Sequence, residues 1–175
     1  MARLFAVLLV AFALTGCVTQ TSDPNSQLES LSTWQLRGKM GIRSDGGNAN
    51  LSFIWNESPG QYDISLKGAL GVVLATVTGN GRQVMLTLPD GRFYRSDQVE
   101  NLIEDHVGYR LPVSLLRYWV RGLPDPDYAV QRSEEGFSQQ GWQVTFQQFS
   151  AAGPRKILIE QDDIRVKLAA LEWAY

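Results

Sequence analysis

Residues able to do chemistry are few in this chain. His106 is its single histidine and follows Glu104 and Asp105 in a segment of helical spacing, where a solvated or capping imidazole outweighs a catalytic one. With one histidine and one cysteine, neither a metal cluster nor a nucleophilic triad can be assembled. No Gly-x-Ser-x-Gly elbow occurs, and Gly79-Asn80-Gly81 reads as a hairpin turn, not a phosphate cradle. Asp162-Asp163 and Glu134-Glu135 pair carboxylates by adjacency, but neighbours on a strand point to opposite faces, so neither pair makes a general acid and base. Glu134-Glu135-Gly136 reads as a turn. The chain is expected to be no enzyme, with no catalytic residue, no metal and no cofactor.

Cys17 has a different chemistry. It closes Leu14-Thr15-Gly16-Cys17, after an uncharged run that begins at Leu4 and follows Arg3. The run is about half the ~20 residues that a membrane-crossing helix needs, so it reads as an export signal. Leu14 to Cys17 resembles the processing pattern of bacterial lipoproteins: an aliphatic residue, two small or mid-sized ones, then the modified cysteine. Residues 1–16 are therefore expected to be a lipoprotein signal peptide, with Cys17 as the lipid attachment site. Diacylation plus N-acylation, at about 0.8 kcal/mol per buried methylene, makes an anchor that does not leave its membrane unaided. Val18 and Thr19 follow, and no acidic residue stands there to resemble an inner-membrane retention signal. The expected location is the outer membrane, lipid-anchored and facing the periplasm.

Residues 17–27, with Thr, Ser, Asp, Asn and Pro and no apolar periodicity, read as the lipidated cysteine and a flexible tether. Residues 28–175 read as one domain, long enough to bury a core. The formal charge of −2 and the lack of a basic stripe with interleaved aromatics argue against nucleic acid as a partner.

The elements that must position any site are mainly strands. Trp34, Leu36, Gly38, Met40 and Ile42 alternate with Gln35, Arg37, Lys39 and Arg43; Ala49, Leu51, Phe53 and Trp55 alternate with polar residues in the next run, with Ile54 as the exception. Ser44-Asp45-Gly46-Gly47 between them is a hairpin turn. Further strands are predicted at Gln61 to Lys67, Val72 to Gly79 and Gln83 to Leu88, with Pro89-Asp90-Gly91 ending the set. Trp142, Val144 and Phe146, then Lys156 to Glu160, then Ile164, Val166 and Leu168 repeat the pattern. Two helices interrupt it. Ser96-Asp97 with Glu100 reads as a capped start, continued by Val99, Leu102, Ile103 and Val107 until Gly108. Pro112 opens the second, which runs through Val113, Leu116, Trp119 and Val120 to Gly122. Hairpin-linked strands in this number imply a barrel or a sandwich, because open edges invite aggregation, and helices inserted into a barrel cover one of its ends. Periodicity does not separate a filled barrel from a hollow one, and pattern alone favours the filled one.

The order of segments resembles the family of the outer-membrane lipoprotein acceptor LolB, from about Trp34 to Trp173. The resemblance is carried by Leu36-Arg37-Gly38, by Phe53 with Trp55, by Tyr62 and Leu66 leading into Ala69-Leu70-Gly71, and by Leu111-Pro112 through Leu115-Leu116-Arg117-Tyr118-Trp119-Val120-Arg121-Gly122-Leu123-Pro124. Arg165-Val166-Lys167-Leu168 and Trp173 close it. The fold it implies is an incomplete antiparallel β-barrel with a helical lid over an apolar cavity for the acyl chains of other lipoproteins. The partners it implies are the periplasmic carrier LolA, cargo lipoproteins and outer-membrane lipids, with the chain itself expected to be a monomer. Leu36, Met40, Leu51, Phe53, Trp55, Tyr62, Ile64, Trp142, Phe146, Val166 and Leu168 would line the cavity, with Leu116, Trp119 and Val120 on the inner face of the lid. Leu70 matches the family's exposed leucine on the loop that delivers cargo into the membrane. No ATP site is visible, so transfer would run downhill from carrier to acceptor to membrane. The competing expectation is a structural or envelope-assembly lipoprotein whose solid barrel binds a protein partner or peptidoglycan.

Overall fold

The computed structural model describes residues 32–80 and 82–175; the expected signal peptide, Cys17 and the tether lie outside them. Eleven strands make one antiparallel sheet. They are β1 (Trp34–Ser44), β2 (Gly47–Ser58), β3 (Gln61–Lys67), β4 (Val73–Gly79), β5 (Val84–Thr87), β6 (Phe93–Ser96), β7 (Val130–Arg132), β8 (Gly136–Gln139), β9 (Trp142–Ser150), β10 (Gly153–Gln161) and β11 (Ile164–Ala174). Their order is β6-β5-β4-β3-β2-β1-β11-β10-β9-β8-β7. Two meanders of consecutive hairpins are thus joined by one seam, β1 against β11. The end strands β6 and β7 do not pair with each other, so the sheet is an incomplete barrel, open between them.

The alternation read from the sequence is the alternation of burial. In β1, Trp34, Leu36, Met40 and Ile42 are buried while Arg37, Lys39 and Arg43 are exposed; in β2 and β3, Phe53, Trp55, Ile64 and Leu66 face inward. Their side chains share one buried cluster with residues of β5, β8 and β10, among them Leu86, Phe137 and Ile159. The inward parity of β1 passes through Gly38, and a Cβ there would lie 2.6 Å from Leu171 Cδ2 and 3.1 Å from the Phe53 ring. A bulge explains this: the β1–β11 register shifts between Arg37 and Lys39, and Leu171, 1% exposed, fills the space that the glycine leaves.

Helices α1 (Val99–Val107) and α2 (Val113–Trp119) lie between the two meanders in sequence. The first packs on β5, β6 and α2, burying Val99, Leu102 and Ile103; the second buries Val113, Leu115, Leu116 and Trp119. Among the described residues, no helix is long and apolar enough to cross a membrane. Gly108, at φ 85, ends α1 in the left-handed conformation, its N–H bonded to the Glu104 carbonyl, as the sequence indicated.

The start of α1 differs from expectation. Ser96 ends β6, and its hydroxyl accepts from the Gln98 N–H at 3.0 Å, so it does not cap the helix. The carboxylate of Glu100 reaches forward and accepts the N–H of Ser114 at 3.0 Å, satisfying a free donor in the first turn of α2. Strands β6, β7 and β8 were not anticipated, and Gly136, read as part of a turn, opens β8.

Gly38→Val is expected to lower stability by about 2 kcal/mol through overpacking against Phe53 and Leu171. Gly41→Val is the control on the outward side of the same strand, where a Cβ meets only Asn50 Oδ1 at 3.4 Å. Urea titration should show a clear drop in midpoint for the first and little for the second.

Candidate functional site

Beneath the helices the inner face of the sheet leaves a small void. Met40, Phe53, Trp55, Ile64, Leu66, Val77 and Leu168 form its floor and walls, and Ile103, Leu111, Val113, Leu116 and Val120 form its roof. Its volume is about 30 Å³, the space of about one water molecule. Every lining side chain is apolar, so a water inside would find no partner and the void is dry.

Of the residues expected to line a cavity, Met40, Phe53, Trp55, Ile64, Leu116, Val120 and Leu168 surround this void. Leu36 and Val166 are fully buried in the surrounding core, and Leu51 is partly buried against it. Trp119, Trp142 and Phe146 belong to an aromatic group around Phe137, with ring centroids 5.8 to 6.4 Å apart. That group fills a different part of the interior. Leu66, Val77, Ile103, Leu111 and Val113 complete the lining and were not named from the sequence; Leu66 was legible, being two residues beyond Ile64 on one strand.

Trp119 is held by a buried amide. Its Nε1 donates to Gln139 Oε1 at 3.0 Å, which also accepts from the Asp125 N–H at 2.9 Å. Gln139 Nε2 donates to the carbonyls of Asp125 and Tyr128 at 2.8 and 3.1 Å. Both donors and both acceptor positions of the amide are thereby used.

A charged pair stands beside the void. Glu57 follows the inward parity of Trp55 and is 6% exposed. Its Oε2 accepts from Trp55 Nε1 at 3.2 Å. Its Oε1 accepts from Arg117 Nε at 2.9 Å and from Nη2 of the same guanidinium. Arg117 belongs to α2, so this pair ties the roof to the wall. Burial works against the guanidinium's charge, but the hydrogen bonds and charge of Glu57 outweigh it and hold the pKa above the ordinary arginine value. The same guanidinium lies 5.8 Å from the centroid of the Tyr62 ring, within cation–π range. Burial, with the charge of Glu100 adding to it, pushes the Tyr62 hydroxyl up to about 12, so it remains a donor at neutral pH.

Tyr62 and Arg117 also line a polar cleft of about 250 Å³ that shares Trp55 and Val113 with the void. Depressions of about 470 and 590 Å³ are lined largely by polar residues such as Asn56, Asp63 and Arg95, and Arg43, Asn50 and Lys167. They offer an apolar ligand no dry wall. His106 stacks on Tyr94 with ring centroids 3.7 Å apart, and no cluster of metal-ligating residues occurs among the described residues.

The loop between β3 and β4 is unusually apolar for a surface. Leu70 is fully exposed, and Val72, Val73 and Leu74 are exposed after it. Leu70 sits at φ 61, in the left-handed region that side chains other than glycine occupy at a cost.

Residues 32–173 match the model of a family described as "Outer membrane lipoprotein LolB". Among curated relatives, an outer-membrane lipoprotein LolB of Chromohalobacter salexigens is 31% identical, covering 98% of this chain and 90% of that protein. One of Pseudomonas fluorescens is 37% identical, covering 84% and 77%. Among solved structures, a LolA superfamily protein from Nitrosomonas europaea aligns with a TM-score of 0.47 at 9% identity, covering 82% of this chain and 84% of that one. The relatives' names are those of an outer-membrane lipoprotein and not of an enzyme.

Arg117→Leu leaves the Glu57 carboxylate in place without its counter-charge, which should cost about 2 kcal/mol. The expected readout is a lower urea midpoint at neutral pH, partly recovered when Glu57→Gln is added. An unchanged midpoint in the single variant would mean that the ion pair contributes nothing to holding α2 on the sheet.

Proposed function

This chain belongs to the family of the outer membrane lipoprotein LolB, and we propose that it accepts lipoproteins from the periplasmic carrier LolA, holds their acyl chains against the inner face of its sheet and inserts them into the outer membrane. Cys17 carries the lipid anchor in this reading, and the domain faces the periplasm. The observation that supports it most is the dry void at the boundary between two layers, the sheet and the helices, with twelve apolar side chains around it. Each methylene left in water costs about 0.8 kcal/mol, so a hand-over of acyl chains needs such a lining throughout. At about 30 Å³ the void holds no such chain, and in this reading the roof of α1 and α2 lifts to admit one.

That small volume is also the observation favouring the second reading, a solid barrel that binds a protein partner or peptidoglycan. A transfer assay separates the two. The domain from Val18 onward is mixed with carrier loaded with a lipoprotein; movement of the cargo onto the domain supports the acceptor. Retention on a carrier proven competent with another acceptor supports the solid barrel.

Leu70 has a distinct place in the proposal. Its left-handed backbone costs about 1 kcal/mol, and its exposed side chain gains nothing for folding, so its value lies outside the folded core. The proposal assigns it to the wedge that meets the membrane when cargo is released. Leu70→Glu should therefore leave uptake from the carrier intact and slow delivery into outer-membrane vesicles. Equal loss of both steps would remove that assignment.

A further inference from the structure

We propose that the polar cleft beside the void is a binding site for the acylated glyceryl-cysteine head of a lipoprotein, whose ester and amide groups it hydrogen-bonds while the acyl chains enter the apolar compartment. The inference rests on the acyl-chain reading above and gives that site a second, polar half.

The two compartments share Trp55 and Val113, so they lie on either side of one indole and one valine. Everything on one side of that wall is apolar. On the other side stand Arg82, Ser114, Arg117, Tyr62 and Tyr118. This arrangement matches an amphiphile whose tails end in carbonyl groups. Ester and amide carbonyls only accept hydrogen bonds, and the cleft supplies donors. Tyr62 stays protonated at neutral pH, as described. Arg117 is engaged by Glu57, which leaves Arg82, Ser114 and Tyr118 as the side chains best placed to serve a ligand.

The backbone of Arg82 is hydrogen-bonded to the residue that follows β4. Asn80 Oδ1 accepts the N–H groups of Arg82 and Gln83 at 3.2 and 3.0 Å, and the Asn80 N–H donates to the Gln83 carbonyl. Ser114 and Tyr118 lie on α2, so the cleft spans roof and wall.

Charge selects the class of head group. Asp97 and Asp125 line the same cleft as Arg82 and Arg117, and Glu57 lies behind Arg117. Two carboxylates in the lining match its two guanidiniums, and a third, Glu57, pairs with one of them from behind, so the cleft has no excess of positive charge for a phosphate. It suits an uncharged ester and amide head, with the carboxylates available to peptide N–H groups beyond the acylated cysteine.

The test uses the mature protein and two probes: a triacylated lipopeptide with a short neutral peptide, and a pyrene-labelled alkane that has no head group. Arg82→Gln combined with Tyr118→Phe is compared with the wild-type chain, with thermal melts to establish that both are folded. The expected result is about tenfold weaker binding of the lipopeptide with alkane binding changed less than twofold. Equal weakening of both probes, or no weakening of the lipopeptide, overturns the head-group site while leaving the apolar compartment standing. If the wild-type chain binds neither probe, the acyl-chain reading itself fails, and this inference with it. Competition by phosphatidylglycerol as strong as by the lipopeptide overturns the assignment to an uncharged head.

Discussion

The contact between two short helices and the inner face of the sheet governs the rest of the molecule. A sheet left open between β6 and β7 cannot cover its own inner face, and burying each large apolar side chain there contributes about 1.5–3 kcal/mol. The helices, of 9 and 7 residues, are in turn too short to persist alone in water. Each layer supplies the other's missing surface. The void lies where the two meet, because side chains projecting from a pleated sheet and from helices of different direction do not interlock everywhere.

Apolar contact has no direction, and a roof held by it alone could slide. Two polar contacts on α2 fix its register. One is the Glu57–Arg117 pair, reinforced by Trp55; the other is the bond from Trp119 to Gln139. Arg117 and Trp119 are two residues apart in the helix, so they leave it on different sides and grip different parts of the wall. The apolar lining lies on the same element, at Val113 and Leu116.

Long strands were legible because their burial follows two-residue alternation over many positions: β1, β2 and β3 fall where the pattern places them, while β11 starts there but runs past Leu168 to Ala174. Strands β6, β7 and β8 have only 3 or 4 residues and lack the apolar alternation of Val84, Leu86 and Leu88, which runs through and past the equally short β5. Ser96 misled because a serine before a helical stretch serves equally a turn and a cap, and only the backbone path decides which donor it meets. Glu57 was hidden for a different reason. Parity with Trp55 points it inward, but a carboxylate at an inward position is plausible only once Arg117, 60 positions away, is known to stand opposite. Of the three residues expected on the inner face of the lid, Leu116 and Val120 meet the void, together with Leu111 and Val113, while Trp119 turns to Phe137 and Trp142.

The seam between β1 and β11 bears on how the chain reaches this state. Within each meander, consecutive strands are neighbours, and their hairpins form from local contacts. Joining the halves requires residues near Trp34 to find residues near Ala174, a loop closure spanning nearly the whole domain and slow compared with local hairpin formation. The first strand is therefore made long before its central partner and waits with one side unpaired until the last residues arrive. A chain shortened by its final strand would lose the joint in the middle of the sheet, leaving two half-sheets and no common floor for the helices to cover.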